Sequence, residues 1–147
     1  MANSTSANLK LTVQATGENS GTWGQITNTN LLILEQAIGG FTTFNITNAA
    51  RSLTFTNGAL SNGKNEVIKL TGTLASNLTV SIPNSLEKTY QVQDACDHAG
   101  NTLTFKTASG TGVLLCEGNN YTLYSDGTNV VKLHEQRNWR AVSAAET

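Results

Sequence analysis

The order of apolar and polar positions predicts most of the elements of this chain. In Asn8–Gln14, Leu9, Leu11 and Val13 fall on one side and Lys10 and Thr12 on the other, the period-two signature of a half-buried strand or extended arm. A turn over Thr16–Gly21 follows. Trp23, Ile26, Ile33, Ala37 and Ile38 then recur at helical spacing and predict one helix over Thr22–Ile38. Thr22 stands at its N-cap, and Gly39-Gly40 supply residues that tolerate the left-handed conformation that often ends a helix. Thr27, Asn28, Thr29 and Asn30 are weak helix formers, so the first half of the helix is expected to be irregular.

From Phe41 the helical period disappears. Short runs at Phe41–Thr47, Arg51–Thr56, Asn65–Gly72, Leu78–Ile82, Thr89–Asp94, Thr102–Thr107, Val113–Glu117, Asn120–Tyr124 and Asn129–Leu133 read as strands, separated by Asn-Gly, Pro-Asn, Ala-Gly and Asp-Gly turns. They predict a mainly β fold, a small antiparallel β-sandwich or jelly-roll-like barrel with one N-terminal helix. Asp126-Gly127 is the clearest tight-hairpin signal. The chain divides into an N-terminal arm and helix (1–40), a β module (41–134) and a C-terminal arm (135–147) anchored by Trp139 between Arg137 and Arg140. Met1–Ala7 and Ala141–Thr147 carry little to bury and are expected to order only on assembly. The similarity of Ser52–Thr56 to Thr102–Lys106 hints at a two-fold strand arrangement.

Composition explains how such a chain stays wet. Of 147 residues, 22 are Thr, 17 Asn, 13 Gly and 11 Ser, whereas only 13% are charged and the net charge is −1. Hydroxyls and amides replace charge at the surface, and a strong polyanion site cannot be built, so nucleic acid is not an expected partner. Weak self-repulsion suits a protein packed against copies of itself. The densest apolar run, Leu31–Leu34, is far short of a membrane span, and Met1–Ala7 lacks the basic start and apolar run of a signal peptide. Cys96 and Cys116 lack metal or redox spacing and read as reduced, buried thiols.

Candidate chemistry is thin. Asp94, Asp97 and His98 in DACDH bring two carboxylates and an imidazole together, yet the stretch reads better as a strand end entering a loop closed by Gly100, with Asp starting the turn. There is no G-x-S-x-G elbow, and Gly110–Gly112 lacks the Gly-Lys-Ser/Thr pattern that cradles phosphate. Cys96 and His98 are read as too close along one strand end to form a catalytic pair. The acidic residues show no pairing of the kind glycoside hydrolysis needs. No catalytic, cofactor-binding or metal residue is assigned, and no enzyme is expected. Tyr121 and Tyr124 are candidate sugar contacts, with core or cross-strand packing as the competing reading.

Several blocks in order resemble a family. Thr16–Gly24, leading through Asn28, Asn30 and Leu31 into Leu34–Ile38, resembles the amino-terminal segment of tail-fibre and related structural proteins of tailed bacteriophages, notably those of marine and cyanobacterial hosts. Glu66–Leu74, Leu78–Pro83, Tyr90–Val92, Leu103–Thr107, Gly110–Val113 and Tyr124–Val131 are similar to their β module, so the resemblance spans about residues 8–133. It implies a non-enzymatic virion component, made in the host cytoplasm and assembled as a homotrimer or other symmetric oligomer with tail or major capsid proteins. It also implies that Gly21, Trp23 and Gly24 turn the chain into its helix and anchor it, and that Asp126 and Gly127 make the last hairpin. A host-reading fibre continues into long repeats or a receptor tip. This chain stops after one module, which leaves a short tail-associated piece or a capsid decoration protein as the implied roles, and a carbohydrate-binding module for host glycan as the alternative of another class.

Overall fold

Residues 2–137 are described by a computed structural model of the chain. The described elements are β1 (Ser4–Thr5), β2 (Thr12–Val13), α1 (Trp23–Gly39), β3 (Phe41–Asn45), β4 (Arg51–Ser52), a 3-10 turn (Asn62–Lys64), β5 (Val67–Thr73), β6 (Leu78–Ile82), β7 (Glu87–Asp97), β8 (Leu103–Thr107), β9 (Gly112–Leu115), β10 (Asn120–Asp126) and β11 (Val130–Gln136). The fold is mainly β with one N-terminal helix, in the manner of a small β-sandwich. One sheet has the order β11-β10-β7-β5-β3 and the other β4-β6-β8-β9, while β1 and β2 form a separate small pair.

The pairing inside the two large sheets differs from the antiparallel expectation. β3, β5 and β7 run parallel, as do β4, β6 and β8. Successive strands alternate between the sheets, so each pair (β3 with β4, β5 with β6, β7 with β8) forms one rung of a stack. The short Asn- and Gly-rich turns therefore swing the chain across to the facing sheet instead of folding it back beside its neighbour. Only after the third rung does the chain reverse: β9 runs antiparallel to β8, and β10 antiparallel to β7.

Alternation along each strand fills the space between the sheets. β6 turns Leu78, Val80 and Ile82 inward and leaves Thr79 and Ser81 partly exposed; β8 does the same with Leu103, Phe105 and Thr107. The core joins both sheets, with Ile68, Leu70, Tyr90 and Val92 from one and Val80 and Phe105 from the other. Burying each large aliphatic side chain of this set contributes about 1.5–3 kcal/mol. Tyr90 meets Phe105 across the gap at 5.5 Å between ring centres, a spacing favourable for a tilted aromatic pair.

Asparagine holds the corners. Asn77 Oδ1 accepts from the Thr102 backbone N–H, and Asn84 Oδ1 accepts from that of Ser109, each bond joining residues 25 apart. The Asn101 side chain donates to the Leu74 carbonyl. Backbone bonds continue round the bend, where Ala75 N–H donates to Thr47 on one rung and Leu74 N–H to Asp97 on another. Amide side chains thus satisfy corner groups that the ladders leave free. The same spacing is written in the sequence, since Leu-Thr-Phe at Leu53, Leu-Thr-Val at Leu78 and Leu-Thr-Phe at Leu103 stand 25 residues apart. The echo expected as two-fold is a three-rung recurrence. β6 and β8 keep its register, Leu78 facing Leu103, whereas Arg51 on β4 faces Val80, four residues off.

The helix is regular from Trp23 through Gly39, including the Thr-Asn stretch expected to disturb it. Two side chains there find partners that suit a helix: Thr29 Oγ1 donates to the Gln25 carbonyl, and Asn30 both donates to and accepts from the Thr12 backbone. Thr22 precedes the helix but makes no side-chain cap; its hydroxyl donates back to Asn19 O. Gly40 is extended, not left-handed, and leads directly into β3 with its N–H on Gln36 O. The expected strand at Asn8–Gln14 shrinks to Thr12–Val13, because Lys10 takes a positive φ of 56° and breaks the run. Ser4–Thr5 of the N-terminal arm form β1, β11 carries the module on to Gln136, past the expected boundary at 134, and Ala141–Thr147 lie outside the described residues.

Candidate functional site

The far end of the stack gathers the polar groups of greatest chemical interest. β7 continues to Asp97 instead of ending at Asp94, and Asp94 and Cys96 on it, with His98 just past its end, are all buried on the inner side. Asp94 is almost fully buried and its Oδ2 lies 2.7 Å from His98 Nε2, while its Oδ1 accepts from Cys96 N–H. Burial raises the Asp94 carboxyl above the usual range, opposed by the Cys96 amide and by His98. Burial first, and the Asp94 charge second, push the Cys96 thiol up to about 12, which leaves it without nucleophilic character at neutral pH.

Each member of this group is held. The His98 backbone N–H donates to Glu117, and Asp97 accepts from Ala99 in the turn that Gly100, at φ 82°, completes. The turn reading holds for Asp97 and Gly100. For Asp94 and His98 it is incomplete, because the two form a buried pair whose signal is their shared parity, four residues apart across the end of β7. Among the described residues, no group of three or more His, Cys, Asp and Glu is placed to hold a metal ion.

The candidate sugar contacts separate. Tyr121 lies in the core, 2% exposed, and not on a loop tip; its hydroxyl accepts from Cys116 N–H and donates to Glu135. Burial pushes its phenol well above the usual range. Tyr124 has the opposite parity on β10 and is half-buried on the outer face. That face continues in Gln91 and Thr122, whose side chains bond at 2.8 Å, and His134, which line a shallow groove of about 290 Å³. The cysteines also differ from expectation. Both are free, but Cys116 is exposed because it lies just past β9.

Asp126 and Gly127 form the predicted hairpin. Gly127 has φ 91° at the first central position, and Asp126 Oδ1 accepts from the Thr128 and Asn129 amides, which hold its carboxyl below the usual range. Gly21, at φ 80°, turns the chain ahead of α1, and Gly24 sits inside the helix in open space. Trp23 is not an anchor within the chain: it is 65% exposed. Trp139 lies outside the described residues.

Two buried lysines escaped the sequence reading. Lys64 is fully buried with its Nζ donating to the Thr56 and Ala59 carbonyls, closing the loop between β4 and β5. Lys88 pairs with Glu66 at 3.1 Å and stands over the Tyr90 ring at 4.6 Å. Burial lowers both ammonium groups from their ordinary value. No residue pattern marks these sites, since Lys64 sits among turn residues and Lys88 at an inward position of β7.

With this geometry in hand, comparison with protein-family models, with curated proteins and with solved structures finds no match to the chain.

Proposed function

We propose that this chain is a non-enzymatic structural component of a tailed-phage virion, a tail-fibre-like or tail-associated protein that assembles by symmetric packing. The observation that carries the reading is the ordered run of blocks from Thr16–Gly24 to Tyr124–Val131 that resembles such proteins. Two features of the fold support it. The buried titratable groups are engaged with one another or with backbone, Asp94 with His98, Lys88 with Glu66 and Lys64 with two carbonyls. Trp23, placed by the resemblance at an anchor position, is exposed and available to a neighbouring subunit. In a symmetric particle, weak contacts repeated by symmetry give durable attachment without one strong site.

The sugar-binding alternative is weaker, since Tyr121 is buried and Tyr124 alone remains of its two contacts. Immunogold labelling of intact particles, with copy number from quantitative gel staining, tests the proposal. Label at one vertex with few copies is the expected result. Label over the whole head assigns the chain to capsid decoration, and particles without label overturn the virion reading.

A further inference from the structure

We infer that the outward face of α1 is the surface through which copies of this chain associate with one another, helix against helix. The inference deepens the reading of a self-assembling structural protein and rests on it. α1 has an inner side and an outer side, and both are apolar. Ile33 is fully buried, Ile26 and Ala37 are partly so, and Asn30 and Gln36 tie the same side to Thr12 and Ser61. The outer side carries Trp23, Leu31 and Ile38, which are 65%, 58% and 79% exposed. Leu31, Leu34 and Ile38 follow the three-then-four spacing of a helix–helix seam.

The patch does not end with the helix. Leu31, Leu34 and Ile38 share one hollow with Leu32, and Leu32 shares the next with Phe41 and Leu60. Leu32, Phe41 and Leu60 are themselves 50%, 59% and 51% exposed. Taking about 150–250 Å² for each large side chain and scaling by exposure, the six exposed residues leave roughly 540–900 Å² of surface, at the top of or above the largest patch of an ordinary monomer. Two copies burying that area against each other would remove roughly 1,100–1,800 Å² in total, overlapping the standard range for a stable interface.

Charge decides the occupant. Glu35 is the only charged residue in the helix. A lipid surface is gripped by amphipathic helices with Lys or Arg along the polar face, and this helix has none. A charged partner finds a single charge to pair with, Glu35, in an otherwise apolar patch. Apart from Glu35, which is exposed, the patch is apolar, and an apolar stripe crossed by a symmetry axis is its own complement. Its aromatic residues, Trp23 and Phe41, with only one charge beside them, are the composition of an interface core.

The test uses the full chain in light scattering after gel filtration and in sedimentation velocity, over roughly 1–100 μM, the range that captures micromolar association. The wild type is expected to form a dimer or higher symmetric oligomer. Leu31→Glu with Ile38→Glu is expected to be monomeric, with association weakened more than about 100-fold by two carboxylates buried without partners. Both positions are exposed in the single chain, so circular dichroism and the thermal transition should match wild type. Leu114→Glu, at a 58% exposed position on β9, should leave the oligomer intact. An oligomer that survives the double substitution overturns the helix as the interface while leaving self-assembly standing. A wild type that stays monomeric throughout overturns the inference, and one that instead co-sediments with anionic vesicles reassigns the face to lipid. Neither result bears on where antibody labels the particle.

Discussion

Replacing Tyr90 by Phe removes one oxygen from the middle of the core and little else. The Tyr90 side chain is fully buried, and its hydroxyl donates to the Gly63 carbonyl at 2.7 Å, joining the third rung to the turn between the first and second. Burial, with the Glu66 charge adding to it, pushes the phenol far above its ordinary value, so it remains a donor at neutral pH. The substitution keeps the ring and its contact with Phe105 and leaves the Gly63 carbonyl short of this donor. The expected cost is about 1–2 kcal/mol, the net loss of a buried hydrogen bond plus part of the desolvation of an orphaned acceptor. For a domain of this size that is a fall in melting temperature of roughly 2–8 °C. Urea denaturation followed by circular dichroism should give a lower midpoint with an unchanged slope, because the surface exposed on unfolding is the same. Tyr124→Phe, on the outer face, should stay within about 0.5 kcal/mol of wild type. A Tyr90→Phe protein as stable as wild type would refute the packing of β7 against the Asn62–Lys64 turn.

Three further outcomes follow from other parts of the fold. Gly127→Ala should destabilise by about 1–2 kcal/mol, because a Cβ is strained at positive φ, whereas Gly24→Ala, in open space inside the helix, should stabilise by about 0.5–1 kcal/mol; chemical denaturation of both variants checks the opposite signs. A thiol reagent at neutral pH should modify one cysteine per native chain, Cys116, and two in urea, with peptide mapping as the check; rapid labelling of Cys96 in the native protein would contradict its burial. Asp94 has a raised carboxyl in the folded state, so the folded chain holds its proton more tightly than the unfolded one. Its contribution to stability is therefore greatest below the ordinary carboxylate pKa and falls as pH rises through the raised value. Asp94→Asn should flatten that part of the stability–pH curve measured by denaturation, and an unchanged curve would remove Asp94 as its source.

The strands that were legible in the sequence are those whose alternation is complete. The pattern of Leu78–Ile82 marks that strand to the residue, and the Asp126-Gly127 hairpin follows from the need for a positive φ. Alternation fixes which face of a strand is buried, but not which strand lies beside it. That is why Asn-rich corners read as hairpins, and parallel rungs were missed although Leu53, Leu78 and Leu103 mark them at even spacing. The first rung obscured the repeat further, since β4 pairs four residues out of its register. At the candidate site, Asp97 was legible as a turn former because its partner is two residues away. The Asp94–His98 pair was not, because it depends on β7 running past the point where polar residues seemed to end it. The exposure of Trp23 is not legible for a different reason: helical spacing identifies an apolar stripe, and α1 has two, of which the described residues cover only one.

The reversal of the chain after the third rung has a consequence for length. Each unit of 25 residues, the separation of Leu78 from its partner Leu103, adds one strand to each sheet, and neighbouring strands lie about 4.7–4.9 Å apart. β9 and β10 turn back against β8 and β7 and so fix one end of the stack. Between that fixed end and the first rung, the body behaves as a ruler graduated in single strands. Duplicating one unit would lengthen it by one graduation while leaving its width and its corners unaltered.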